Sequence, residues 1–234
     1  MHHEIGIKLL ELTRQGRRIN VTDLESQLHI QSDQLLSEIG NLHDRGFASV
    51  AEGLLELDGY QRMRLAEELV RDGSDPKRVS RFLEWQEFEN FAARYLLDNG
   101  FRTVSHVVFK AAVGRREIDL LAWNDNFVFA IDCKHWARGL AASRLRNAAE
   151  AQIERATALA ARSDVLNKYG VQNLENRSIV PVIFSLSEPL ERFVSGVPVV
   201  PISKFLSFLN GVSPVDGDLR MIHIKTDHKQ AMLG

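Results

Sequence analysis

Cysteine is almost missing from this 234-residue chain, where Cys133 stands alone. One thiol forms no intramolecular disulfide and builds no zinc cluster. That usage fits a reducing cytoplasm, which is the expected location. Long apolar runs are missing too. No stretch reaches the roughly 20 residues that a membrane span needs, and the charged N-terminus lacks the apolar region of a secretory signal. Neither sign of charge prevails, since 29 Lys and Arg face 31 Asp and Glu. With no global basic field, a nucleic-acid partner must be met by local patches. His2 and His3 are too few for a metal site, and neither repeats nor low-complexity tracts occur. What remains, 44% hydrophobic and 26% charged, is the composition of a globular protein. The length suits one large domain or two small ones.

The most informative stretch is Glu117–Lys134, EIDLLAWNDNFVFAIDCK. Apolar run Ile118–Trp123 is followed by the turn residues Asn124-Asp125-Asn126 and then by apolar run Phe127–Ile131, which predicts two adjacent strands. Period-2 alternation puts Val128, Ala130, Asp132 and Lys134 on one face of the second strand, and Phe127, Phe129, Ile131 and Cys133 on the other. Asp119 lies inside the apolar run of the neighbouring strand. Burying charge costs several kcal/mol per ion unless the charge is paired or binds a metal. Two carboxylates and an ammonium converging at one sheet edge therefore point to a divalent-metal site.

Asp119, then Asp132-Cys133-Lys134, set in REIDLLA and FAIDCKHW, resembles the PD-(D/E)XK nuclease signature. The surrounding text is similar to Mrr-like restriction endonucleases and archaeal Holliday-junction resolvases, over roughly Phe82 to Gly211. Ile118 stands where the family usually has proline, as in many Mrr-like members. The resemblance implies an α/β fold, a restriction-endonuclease-like αβββαβ core with a mixed sheet. It implies a Mg²⁺-dependent endonuclease, with Mn²⁺ able to substitute, acting on DNA in restriction, repair or junction processing. The products would carry a 5′-phosphate and a 3′-hydroxyl. Asp119 and Asp132 would bind one or two ions, with the Cys133 backbone carbonyl as a further oxygen ligand. Glu89, on the first core helix, would orient a metal-bound water or complete a second ion's shell. Lys134 would position the attacking water and help deprotonate it. Cutting both strands would call for a homodimer.

The chain in order supplies the frame. Helices are expected over Glu4–Thr13, Thr22–Leu28 and Ser32–Asp44. The first connects to the second through the basic stretch Arg14–Arg18. The third is capped by Ser32, has Leu35, Leu36, Ile39 and Leu42 inward, and is stopped by Arg45-Gly46. A hairpin follows, Phe47–Val50 and Leu54–Leu57. Three helices and a hairpin resemble a winged helix-turn-helix domain over residues 1–58. Its third helix carries Asp33, Glu38 and Asp44 against Arg45, a poor complement to phosphate; a protein-contact role competes with DNA binding. Residues 59–81 are read as linking helices, 82–213 as the nuclease domain and 214–234 as an edge strand and tail.

A helix over about Pro76–Asp98 has Trp85, Phe88, Ala92, Tyr95 and Leu96 on one side, with Glu89 at its border and Glu87 nearly opposite. The first core strand is expected over Val104–Val113, turned by Gly114-Arg115-Arg116. Arg115 and Arg116 are a solvated turn or a phosphate contact. Glu117 either pairs with Arg116 or Lys134 or assists the metal. His135 falls off the active face, Trp136 reads as packing, and Arg138 is a candidate DNA contact. The helix over Ala141–Arg162 turns Leu145, Ala149, Gln152, Ala156 and Leu159 inward. Gln152 is a core amide bonded to backbone or a contact at the site. Arg144, Arg155 and Arg162 share a flank, either a solvated face or a DNA-backbone track. Strands Ile179–Leu186 and Val197–Pro201, a helix Ile202–Leu209 and an edge strand Leu219–Lys225 complete the chain. Against the nuclease stand two alternatives: a non-catalytic DNA-binding or regulatory protein on a nuclease scaffold, and a structural interaction protein.

Overall fold

Capping residues and turn residues fix where the elements begin and end. The structure, a computed structural model, describes residues 3–28, 30–134, 142–185, 189, 191–201, 204–211 and 218–226. The chain divides into two compact units, residues 1–91 and 92–234. Among the described residues no helix is long and apolar enough to cross a membrane.

The first unit holds α1 (His3–Leu12), β1 (Arg18–Asn20), α2 (Val21–Leu28), α3 (Ser32–Asp44), β2 (Ser49–Ala51), β3 (Leu54–Glu56), α4 (Gly59–Arg71) and α5 (Pro76–Ser80). The three helices and the hairpin are as expected. The basic connection differs, because its end forms β1, which pairs with β3 and gives the sheet order β1-β3-β2. Ser32 does not cap α3. It is the first helical residue and its hydroxyl donates to Glu25. Leu36, expected inward, is 56% exposed, while Leu35, Ile39 and Leu42 are buried. Asp58 and Gln61 form a reciprocal capping box that starts α4, and Asp75 caps α5 with Pro76 at its first turn.

The long helix expected from Pro76 is two helices. α5 stops at Ser80, and α6 (Trp85–Asp98) starts afresh, with the division between the units inside it. The new start has a physical cause. The Glu84 backbone N–H donates to Glu87 Oε2 at 2.8 Å, so Glu87 satisfies one of the orphan donors of a helix N-terminus. Glu87, expected to point outward, is 5% exposed, and Trp85, expected inward, is 43% exposed. A hydrophobic periodicity cannot register the reason, which is a buried cation. Arg62 is wholly buried and donates to Glu87 Oε1 at 3.1 Å, the Leu10 carbonyl at 2.8 Å, Thr13 Oγ1 at 2.5 Å and the Phe82 carbonyl at 2.6 Å. Arg17 donates to the same glutamate.

The second unit is built on β4 (Arg102–Lys110), β5 (Arg115–Trp123), β6 (Val128–Lys134), α7 (Ala142–Ala160), α8 (Ser163–Lys168), β7 (Ser178–Ser185), β8 (Phe193–Val194), β9 (Val197–Pro201), α9 (Phe205–Gly211) and β10 (Ile222–His223). The sheet runs β4-β5-β6-β7-β9-β8, with β10 also on β7. β4, β5 and β6 are antiparallel, whereas β6-β7 and β7-β9 are parallel. A parallel neighbour needs a crossover, and α7 lies in the one that joins β6 to β7. The β5–β6 turn is closed by the Asn124 side chain, which accepts from the Asn126 and Phe127 N–H groups. Val128 and Ala130 pack with Ala156 and Leu159 of α7. The other face carries Phe129 against Phe101, Phe127 and Phe208. This is the expected alternation, and the architecture is the expected α/β fold with a mixed sheet flanked by helices. Other details differ: α8 and β8 have no counterpart among the expected elements, β4 runs Arg102–Lys110 rather than to Val113, α9 begins at Phe205, and β10 is only two residues long.

Glu87→Ala leaves the Arg62 charge buried with less compensation and is expected to destabilise the first unit by about 3–5 kcal/mol, seen as a lower urea midpoint. Burial pushes the Glu87 carboxyl up, but hydrogen bonds from Arg17, the Glu84 backbone and Arg62 hold it below its ordinary value of 4.5. Its stabilisation is therefore complete above that pH and is lost as pH falls through the folded value. Glu87→Gln is expected to flatten this acid-side loss.

Candidate active site

The antiparallel register pairs Leu120 with Ile131 and Leu121 with Ala130. One step further along the ladder, Asp119 and Asp132 come abreast. The Asp119 side chain reaches across: its Oδ2 accepts from the Cys133 backbone N–H at 2.9 Å. Asp132 is 2% exposed near the end of β6, a strand buried at every residue but Lys134. Lys134, two residues on and so on the same face, places Nζ 2.9 Å from each Asp132 oxygen and hydrogen-bonds to Oδ1. Arg155 Nη2, arriving from α7, donates to the same Oδ1 at 2.7 Å. Oδ2 of Asp132 is buried and has no hydrogen bond.

Two carboxylates side by side repel one another. Burial, and then the charge of Asp132, push the Asp119 carboxyl above the ordinary aspartate value. The Cys133 N–H, Lys134 and Arg155 pull the other way without reversing this. Two adjacent carboxylates that repel one another are a donor set suited to a hard divalent cation. Among the described residues no three His, Cys, Asp or Glu side chains gather as a cluster that could hold an ion. The pair would therefore complete a shell with backbone oxygen, phosphate and water, as Mg²⁺ commonly does.

Each remaining candidate has a defined place. Gln152 is fully buried and bonded to backbone, as expected of a core amide. Its Nε2 donates to the Ala130 carbonyl at 2.7 Å, and its Oε1 accepts from Arg155 Nε at 2.8 Å. Arg155 is thus not on a solvated flank. Arg144 is exposed, and Arg162 pairs with Asp164 and donates to the Lys110 carbonyl. Arg115 and Arg116 open β5 opposite Lys110 and Phe109 rather than forming a turn. Glu117 pairs with neither Arg116 nor Lys134, but with His106 Nδ1 at 3.0 Å. Glu89 is 4% exposed, on the part of α6 that falls in the first unit. Arg138, His135 and Trp136 lie outside the described residues.

Two features escaped the sequence reading. His106 lies between Ser105 and Val107, which pair with Leu120 and Ile118, so it stands across from Asp119. Its φ is +54°, left-handed backbone inside a strand, and such strain in a non-glycine residue gathers at functional sites. Nothing in the local sequence signals it. Arg155 did have a signal, because it lies three residues after Gln152 and such pairs meet on a helix.

The mixed α/β sheet thus brings two acids and a lysine together on adjoining strands. The model of the nuclease-related domain family matches residues 84–182, which supports a nuclease-type domain there. That span holds Glu89, Asp119, Asp132, Lys134, Gln152 and Arg155. An uncharacterised protein of Archaeoglobus fulgidus is 32% identical over 131 residues, which cover 56% of this chain and 92% of that protein. Two solved structures are more distant. A crystallised protein of unknown function is 22% identical, with a TM-score of 0.28 over 53% of this chain and 54% of its own. A Vibrio cholerae protein is 14% identical, with a TM-score of 0.35 over 88% of this chain and 50% of its own. The chain spans about half the length of each of these two solved chains.

Asp119→Asn keeps an acceptor for the Cys133 N–H and removes the repulsion. A raised folded pKa contributes stability that is present at low pH and lost as pH rises through it. In chelator, Asp119→Asn is accordingly expected to melt higher than wild type at pH 8, with the gap closing towards pH 3.

Proposed function

We propose that the second unit hydrolyses phosphodiester bonds in DNA as a Mg²⁺-dependent endonuclease, with Mn²⁺ able to substitute. The observation that carries this reading is the adjacency of Asp119, Asp132 and Lys134, with one Asp132 oxygen left without a hydrogen bond. Asp119 and Asp132 would hold the cation, with the Cys133 carbonyl as a further oxygen. The bound ion would supply stabilisation of phosphate charge and acidify a coordinated water.

The chain's own groups account for the rest. The Lys134 ammonium would position the attacking water by donating to it, favour loss of its proton to bulk solvent through the nearby positive charge, and offset negative charge as it builds on the phosphate. Arg115, Arg116, Arg138, Arg144 and Arg162 are proposed contacts to the DNA backbone, where positive side chains supply most of the affinity. By the Mrr-like resemblance, the products carry a 5′-phosphate, and Glu89 belongs to the catalytic set, a role that Glu89→Gln tests. The helix, strand, two helices and hairpin of residues 1–58 are read as a winged helix, engaging DNA or a second copy of the chain. The acids of α3 favour the protein contact. Localisation to the cytoplasm is part of the same proposal.

A second reading, a DNA-binding protein without catalysis, is favoured by one observation: Asp132 is already neutralised by Lys134 and Arg155. Plasmid nicking separates the two. Wild type with Mg²⁺ or Mn²⁺ is expected to nick supercoiled plasmid, and chelator to stop it. Asp132→Asn and Lys134→Ala should each lower the rate by roughly two to three orders of magnitude. Cleavage that survives both changes would refute the site. Binding without cleavage by wild type would put the second reading first.

A further inference from the structure

A positive side chain beside a cation site opposes the cation, so the guanidinium of Arg155 on Asp132 calls for a physical reason. The reason lies in which atoms it holds. Gln152 is fully buried and pinned by its Nε2 to the Ala130 carbonyl at 2.7 Å, two residues before Asp132 on the same strand. Its Oε1 takes the Arg155 Nε–H at 2.8 Å, and Arg155 Nη2 then donates to Asp132 Oδ1 at 2.7 Å. Lys134 hydrogen-bonds to that same oxygen. Both hydrogen bonds converge on Oδ1, while Oδ2 is buried, accepts no hydrogen bond and lies 2.9 Å from the Lys134 ammonium. A carboxylate held by a guanidinium from one side and an ammonium from the other is fixed in orientation.

We propose that Arg155 is a positioning residue: held by Gln152, it locks the Asp132 carboxylate in the orientation in which it, beside Asp119, would meet a divalent cation. This rests on the metal-dependent reading of the site. The planar fork matters more than the charge. Arg155 uses one nitrogen to be held and another to hold, which a lysine ammonium on a flexible stem cannot reproduce. Partners that orient a metal's ligand typically change metal affinity by about 10–100-fold when removed.

The test is Mn²⁺ binding to the full chain, followed by calorimetry or by loss of the free-ion magnetic resonance signal, with thermal melts to verify folding. Arg155→Lys keeps the charge and loses the fork. Gln152→Met keeps Arg155 and loses its anchor. Each is expected to weaken Mn²⁺ binding about 10–100-fold, and the double variant no more than the worse single one, because the two act as one chain. The Mn²⁺ concentration for half-maximal nicking should rise in step while the KM for DNA stays unchanged. Wild-type Mn²⁺ affinity in either folded variant, or losses that simply add, would overturn the proposal. If Arg155→Lys does not fold, Gln152→Met decides alone. Wild type that binds Mn²⁺, loses it in Asp132→Asn, yet cuts no DNA would refute the nuclease reading and leave this one standing. Wild type that binds no Mn²⁺ overturns both.

Discussion

The second unit is arranged around one unfavourable act, the burial of the Asp132 carboxylate at the end of β6. A buried carboxylate costs several kcal/mol unless matching charge and hydrogen bonds surround it. Two elements contribute to that match, and a third works against it. β6 supplies Lys134 from two residues on, α7 supplies Arg155 and the amide that holds it, and β5 brings a second acid whose own charge is partly met by a backbone N–H. The apolar faces of the sheet set the stage: Val128 and Ala130 must pack against α7, and the pleat then delivers the residues two and four positions further along to the same side.

The first unit solves a similar problem with no catalytic outcome in view. Arg62 is as buried as any leucine of its core, and it is matched by Glu87, two carbonyls and a hydroxyl. There the network is closed, since the charged groups find partners within the unit. At Asp132 the paired cations lie beside a second carboxylate, Asp119. That contrast sets the two buried ion pairs apart: the one at Asp132 also brings two aspartates into mutual repulsion.

The parts of this arrangement carried by pattern were readable from the chain alone. The β5–β6 hairpin follows from two apolar runs around Asn124-Asp125-Asn126, and the α7 stripe from 3.6-residue spacing. The Asp119, Asp132 and Lys134 set follows from alternation plus the expense of buried charge. What escaped reading depends on long-range partners. A helical wheel weighs hydrophobicity and so turns Glu87 outward, because it cannot register Arg62 inside the unit. Trp85 failed for the converse reason. Arg155 looked like one of three flank arginines until β6 placed Asp132 within its reach. The left-handed φ of His106 has no local cue at all, because nothing in Ser105-His106-Val107 calls for it.

The mixed sheet also implies an order of assembly. The two carboxylates meet across a short hairpin, a local closure that forms early. Their counter-charge from α7 arrives with the parallel pairing of β6 and β7, which needs the whole crossover segment to close and carries the larger loop entropy. During folding there is thus an interval in which like charges abut with Lys134 as the nearby cation. A chain halted before β7 would hold the acids without their guanidinium, so the competent constellation comes into being only when the crossover is complete.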